Sequence, residues 1–294
     1  MWEAIYRPED LPQALEILHQ AGGAARVIAG GTDLVLQIQR QEKTARYLVD
    51  IGALQGMGAI SLEGDMFHIG AAVTHAEIAE SDLLRRYAHV LSAACGIIGS
   101  PQVRNSATIG GNIVNAQPAA DSALALIALG AEAEIMATGS SCWKPVADLF
   151  LSPGSSFVDS TKEILVRFRF ASQKGMAGSA YRRLGKCKSI ALPVLCAAAA
   201  VSLGEDGDHF IEGRIALGPV APTPLYLSEA SEFLKGEPVA DETIDHLVQK
   251  ASRAAHPRES LLRCSVEYRE RMVAVLIKDV VMQAVNNARQ AVHR

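Results

Sequence analysis

Two stretches decide how this chain reads: Val27-Ile28-Ala29-Gly30-Gly31-Thr32-Asp33-Leu34 and Thr108-Ile109-Gly110-Gly111-Asn112-Ile113-Val114-Asn115. They lie about eighty residues apart, and each is a Gly-Gly step followed by a small polar residue and flanked by apolar runs. Paired glycines let a backbone come close to a ligand and adopt φ > 0, so several N–H groups can converge on an anion. Neither loop continues into Lys-Ser or Lys-Thr, which argues against a triphosphate-cradling loop. Neither reads G-x-G-x-x-G, so the Rossmann fingerprint is missing. Two separate glycine loops without a lysine suit the diphosphate of a dinucleotide gripped from both sides, and FAD is the expected cofactor.

Working outward, Asp10 is placed to cap a helix running to about Gln20, with Leu11, Leu15 and Leu18 at helical spacing and Gly22-Gly23 as its stop. Arg26–Ala29 reads as a strand into the first loop, Asp33–Arg40 as a helix, and Leu48–Ile51 as a strand, which makes a small α/β unit ending near Ala53. A strand is expected at Phe67–Ala71. Thr74-His75-Ala76-Glu77 has capping-box spacing, with His75 read as a surface residue. One helix is expected from about Leu83 to Ile98, stopped by Ser100-Pro101. Pro118 and Asp121 introduce an apolar helix to about Leu129, and Glu132–Ala137 and Ile164–Phe170 read as strands. The small-residue stretch Ala171–Ser179 is the main boundary. Beyond it come four basic residues (Arg182, Arg183, Lys186, Lys188), the apolar run Leu192–Leu203, a turn at Glu205-Asp206-Gly207-Asp208 into a strand at Phe210–Leu217, and helical patterns near Leu227–Leu234, Asp241–Ala255 and Val266–Ala288. A three-stranded antiparallel sheet with helices on one side is the economical arrangement of this last unit.

Composition excludes several classes. With 294 residues, 49% hydrophobic and 20% charged, the chain can bury a sizeable core and is not a disordered polymer. A net charge of −4 leaves no basic footprint for nucleic acid. No apolar run approaches the ~20 residues that span a bilayer, so an integral membrane protein is not expected. Met1-Trp2-Glu3-Ala4 lacks the basic and apolar regions of a signal peptide, which makes the cytoplasm the expected location. The five cysteines (Cys95, Cys142, Cys187, Cys196, Cys264) are scattered without a C-x-x-C, and the eight histidines form no ligand spacing. Neither an iron–sulfur cluster nor another metal site is expected on this chain.

The chain also resembles a known family. The run Gln102-Val103-Arg104-Asn105-Ser106-Ala107-Thr108-Ile109-Gly110-Gly111-Asn112-Ile113-Val114-Asn115-Ala116-Gln117-Pro118-Ala119-Ala120-Asp121-Ser122, at this distance from an AGGTDL loop, is similar to the FAD-binding medium subunit of molybdenum hydroxylases. The likeness extends from Tyr6-Arg7-Pro8 to Arg214–Pro224. It implies an α+β fold: a bilobal FAD-binding domain of the vanillyl-alcohol oxidase type over residues 1–175, with lobes of about 1–53 and 54–175, then a C-terminal domain of the carbon monoxide dehydrogenase flavoprotein type over 176–290.

The resemblance also implies a site. Of the cofactor-contacting stretch Val27, Ile28, Ala29, Gly30, Gly31, Thr32, Asp33 and Leu34, the N–H groups of Gly30, Gly31 and Thr32 and the Thr32 hydroxyl would hold one phosphate. Thr108, Ile109, Gly110, Gly111 and Asn112 repeat the arrangement for the other, with Thr108 supplying the hydroxyl. Asn115 and Asp121 fall where relatives place polar contacts to the cofactor. Two readings of Asp121 stand: an acceptor for a ribose hydroxyl or backbone amides, because a carboxylate beside phosphate is unfavourable, or a helix cap. Ile98 and Leu165 align with apolar positions against the flavin or adenine, and by composition both are also ordinary core residues. Arg182 aligns with a lysine near the flavin, and Tyr181 beside it either covers the ring or packs. Cys187 and Ala191 depart from the Arg and Asp often found there. No residue is nominated as catalytic. The implied activity is that of an oxidoreductase subunit which takes electrons from a small subunit with [2Fe–2S] clusters, beside a large molybdopterin subunit, and delivers them from FAD to NAD⁺ or another acceptor. Two other classes stay open: a free-standing flavoprotein oxidase or reductase, and a non-catalytic assembly protein retaining the fold.

Overall fold

The computed structural model describes residues 2–187, 192–260 and 264–291; Lys188 of the basic cluster and Ala191 lie outside them. The first lobe is a parallel sheet of β1 (Ala4–Tyr6), β2 (Ala25–Ile28) and β3 (Tyr47–Asp50), in the order β1-β3-β2. Between the strands run α1 (Leu11–Gln20) and α2 (Leu34–Gln39). Asp10 caps α1 by accepting the Gln13 N–H at 2.8 Å, and Ala14, Leu15 and Leu18 form its buried face. Apolar spacing and capping residue thus place α1 where the sequence pattern does.

The second lobe is an antiparallel sheet in the order β4-β5-β10-β6-β7, made of β4 (Ile60–Glu63), β5 (Met66–Gly70), β6 (Glu132–Ala137), β7 (Ser140–Pro145) and β10 (Glu163–Ala171). A small hairpin of β8 (Phe150–Ser152) and β9 (Ser155–Ser156) precedes β10. Six helices connect and cover the sheet: α3 (His75–Glu80), α4 (Asp82–Tyr87), α5 (His89–Gly96), α6 (Pro101–Arg104), α7 (Ile109–Val114) and α8 (Asp121–Ala128). Every residue of α8 is buried, as the apolar run 123–128 requires, and the polar Asp121 and Ser122 at its start are buried with it.

Three local outcomes differ from the sequence pattern. The single helix expected over 83–98 is two, divided at Ala88. The Val90 N–H is taken by Ser179 Oγ at 3.2 Å, so a donor that a continuous helix would send back one turn is spent on the neighbouring sheet. Ser100-Pro101 does not only stop a helix: Ser100 accepts the Val103 N–H at 3.3 Å and Pro101 opens α6, the position where a missing N–H costs least. The capping box at Thr74 and Glu77 forms, but His75 is fully buried rather than on the surface, with neither ring nitrogen hydrogen-bonded among the described residues.

The last unit is an antiparallel sheet of β11 (Ala177–Gly185), β12 (Pro193–Leu203), β13 (Phe210–Gly218) and β14 (Leu225–Tyr226), followed by α9 (Ser228–Phe233), α10 (Asp241–Ala254) and α11 (Val266–Ala291). The fourth strand is one more than the pattern suggests. Two residues paired to Ala216 and Leu217 are too few to leave a periodic signal. Alternation along this sheet sorts side chains between two cores. Tyr181, Cys196, Ala198 and Ala216 join the core shared by the first two lobes. Their neighbours Ala180, Leu195, Ala197, Ala199, Ile215 and Leu217 pack with α10 and α11. A central strand covered on both faces is apolar at nearly every position, and β12 accordingly reads as an apolar run broken only by Ser202.

Candidate functional site

The two glycine loops meet across one cleft, with about 850 Å³ of empty space that opens to solvent. Its walls carry Val27, Ile28, Ala29, Gly30, Gly31, Thr32, Asp33 and Leu34 from the first loop. Thr108, Gly110, Gly111, Asn112 and Asn115 line it from the second, and Leu165 comes from β10. The lobes are tied together at its edge. Val27 N–H donates to Ser160 O at 2.9 Å, and Gln37 Nε2 reaches Asn115 Oδ1 at 2.9 Å.

Each glycine has its own reason. A Cβ on Gly30 would lie 1.8 Å from Ser106 O, so this residue lets the first lobe touch the segment leading into the second loop. Gly31 has φ +68°, in the left-handed region. Gly110 and Gly111 are not in that region; the expectation of φ > 0 in both loops holds only for Gly31. A Cβ on Gly110 would come within 2.5 Å of Ala71 Cβ, which makes it a packing glycine. Gly111 would meet only Thr108 Oγ1, at 3.0 Å, and otherwise fronts the cleft.

Donor groups are distributed unevenly. Among the described residues, nothing in the protein accepts the N–H groups of Gly30, Gly31 and Thr32. In the second loop, Ile109 N–H donates to Val73 O, Gly110 to Ala71 O, Gly111 to Thr108 Oγ1 and Asn112 to Thr108 O, all within 2.9–3.1 Å. That loop therefore offers a bare Gly111 surface, the Thr108 hydroxyl proton and two amide side chains. Asn112 Oδ1 accepts from Ser122 at 2.7 Å, which holds its amide in place. Unpaired amides beside a side-chain-free surface fit the diphosphate of a dinucleotide.

Five expected residues stand elsewhere. Ile109 is fully buried beneath its loop, and Ile98 is half-buried against the core shared by the first two lobes. Asp121 opens α8, and Ala120, not Asp121, occupies the cap position. Its carboxylate is buried and accepts from Tyr181 Oη and from Cys196 Sγ (3.4 Å), with Arg183 Nη1 at 3.5 Å. Burial raises the Asp121 carboxyl, and the Tyr181 and Arg183 contacts oppose that rise. Burial likewise pushes the Tyr181 hydroxyl well up. Arg182 points away from these groups, with Nε on Asp279 Oδ2 at 2.6 Å and Nη2 on Gln283 Oε1 at 2.9 Å. Strand alternation is the reason: Tyr181 and Arg183 face the second lobe, and Arg182 faces α11.

Sequence reasoning missed Gln37, Lys43, Ser160 and Glu163, which also line the cleft. Only their neighbourhood to a strand or helix end hints at them. Burial raises Asp33, against the pull of Lys43. Burial lowers Lys43, as does Arg26, and Asp33 opposes both. Among the described residues no cluster of His, Cys, Asp and Glu could hold a metal ion, and no helix is long and apolar enough to cross a membrane.

A two-lobed α+β cleft between glycine loops, backed by a separate sheet, is the architecture of a flavoprotein subunit, and comparison with known proteins gives it a family. Residues 2–170 match the FAD binding domain in molybdopterin dehydrogenase, and residues 179–284 match the CO dehydrogenase flavoprotein C-terminal domain. The chain is 31% identical to the xanthine dehydrogenase FAD-binding subunit of Escherichia coli O157:H7, over 95% of each chain. It is 30% identical to the carbon monoxide dehydrogenase medium chain of Afipia carboxidovorans, again over 95% of each. Among solved structures it is similar to a chain of reconstituted CO dehydrogenase from Oligotropha carboxidovorans, with TM-score 0.90, 26% identity and 98% of both chains covered. The chain belongs to the FAD-binding subunits of the molybdenum hydroxylase family, and is thus a component of an oxidoreductase.

Proposed function

We propose that this chain carries FAD in the cleft and serves as the electron outlet of a cytoplasmic molybdenum hydroxylase complex. A small [2Fe–2S] subunit would supply the electrons, and a large molybdopterin subunit would hydroxylate the substrate. Bound FAD would accept single electrons and release a pair to NAD⁺ or another acceptor. The observation that carries the reading is the set of unpaired amides at Gly30, Gly31 and Thr32, opposite the bare backbone of Gly111. Those three amides and the Thr108 hydroxyl would bind phosphate oxygens, while Asn112 and Asn115 bind polar groups of the cofactor. Leu165 would exclude water along one wall, and Ile98 supports the core behind it. Ile109 anchors its loop from below. Asp121, Tyr181 and Arg183 would set how the last sheet closes on the second lobe, with Arg182 fixing α11 on the far face. The division between FAD-binding and C-terminal domains falls at about residue 175 in this reading.

The experiment is a titration of the purified chain with FAD and with FMN, followed by absorbance. FAD binding far tighter than FMN binding is expected, because FMN has one phosphate to offer the loops; equal affinity would sink the assignment. A paired assay addresses the acceptor. Removing this chain from the complex should stop NAD⁺ reduction and preserve reduction of a dye that takes electrons directly from the other subunits. Hydroxylation of substrate by the isolated chain would instead favour a free-standing oxidase.

A further inference from the structure

The cleft contains one cation that no motif announces. Lys43 follows α2, and it reaches the cleft wall because Gln41 takes φ +61° and folds the chain back, so that the N–H groups of Glu42 and Lys43 both donate to Gln37 O at 2.9 and 3.3 Å. There the ammonium is half-buried, and among the described residues no carboxylate lies within 4.0 Å of it. Asp33 and Arg26 are the charges that act on it. Arg26 gives Nη1 to Ser160 Oγ at 2.8 Å, but its Nε is buried without an acceptor among the described residues. Two other nearby acidic groups are occupied by their own turn: Glu163 accepts the Asp159 N–H at 2.9 Å, and Asp159 accepts from Thr161 at 2.7 and 3.0 Å. Arg26 and Lys43 repel each other, Asp33 in the cleft wall offsets part of that repulsion, and the half-buried ammonium gains from a further anion in the cleft.

We propose that Lys43 is a specificity-determining residue of the cleft, supplying the cation for the dinucleotide diphosphate that the glycine loops themselves lack, with Arg26 behind it. This rests on the reading of the cleft as an FAD site. The chemistry recognised is phosphate oxygen. A flexible ammonium acts there as a point charge, while the amides of the first loop set direction.

The test compares the wild-type chain with Lys43→Gln and Lys43→Arg by calorimetric titration of FAD, ADP and adenosine at two salt concentrations. Lys43→Gln should bind FAD and ADP about tenfold more weakly, leave adenosine unchanged, and show a smaller salt dependence. Lys43→Arg should recover most of the affinity. Wild-type affinity for FAD and ADP in Lys43→Gln would overturn this inference alone, and so would an equal loss of adenosine, which would make Lys43 a structural residue. Failure of the wild-type chain to bind FAD would overturn the FAD reading, and this inference with it.

Discussion

In the first glycine loop the amides of Gly30, Gly31 and Thr32 have no acceptor among the described residues, while in the second those of Ile109, Gly110, Gly111 and Asn112 are all engaged by the protein. The two stretches share a Gly-Gly step, yet one donates and the other mainly makes room. The difference lies in what each is packed on. The second loop is laced to the segment after β5 through Ala71 and Val73, and Thr74 and Thr108 form an isolated bridge. The first loop leaves the edge of a parallel sheet and touches the other lobe at Ser106. A pair of similar motifs is therefore asymmetric, with free amides on one side and a close-packed, smooth backbone on the other.

The comparison can be broken by substitution, and the largest effect is expected at Gly110. Gly110→Val drives a side chain into Ala71, and overpacking of this kind costs about 1–3 kcal/mol or more. The variant should be insoluble or show a markedly lower thermal midpoint with or without FAD. A Gly110→Val protein as stable as wild type would mean that the loop is not packed as described. Gly111→Val should do the reverse: FAD binding lost by titration, and the thermal midpoint of the cofactor-free chain nearly unchanged. Equal damage to stability from both substitutions would erase the distinction between the two glycines.

A third expected effect concerns the scaffold under the second loop. Burial, with a smaller contribution from Arg104, lowers the His75 imidazole to about 4. The unfolded chain takes this proton near pH 6.5 and the native chain only near 4, so the unfolded state binds more protons between those values. Stability is fully present above pH 6.5 and falls as the pH drops toward 4, by about 3 kcal/mol from this group alone. Denaturant melts across that window should show a flatter slope for His75→Leu; an unaltered slope would remove His75 from the account. The smallest effect is at the seam between the lobes. Gln37→Ala loses the bond to Asn115, worth about 1 kcal/mol, and should lower FAD affinity by less than tenfold. A loss as large as that of Gly111→Val would place Gln37 in direct contact with the cofactor.

Much of the cleft is legible in the chain because local signals coincide there. Gly30 and Gly31 follow a four-residue strand and precede a helix, and Thr108 is followed by two glycines at capping distance. Their roles are a different matter. That Gly110 serves Ala71, or Gly30 serves Ser106, depends on residues dozens of positions away. Lys43 enters through one left-handed residue, Gln41, which no Gly or Asn advertises. His75 reads as exposed because its neighbours Thr74 and Glu77 are polar, although the first turn of α3 is pressed between the second loop and the core.

By itself the sequence determines that there are two glycine loops without a P-loop lysine, an α/β first unit, capped helices at Asp10 and Thr74, and a long apolar run at Leu192–Leu203. These are short-range facts, set by backbone freedom, capping and periodicity over a few residues. Only the tertiary structure decides which face of β11 meets which core, and so why Arg183 joins Asp121 and Tyr181 while Arg182 turns to Asp279. Alternation in a sheet is visible in sequence when one face is wet. When both faces are buried, register and packing against distant helices alone assign each side chain its side.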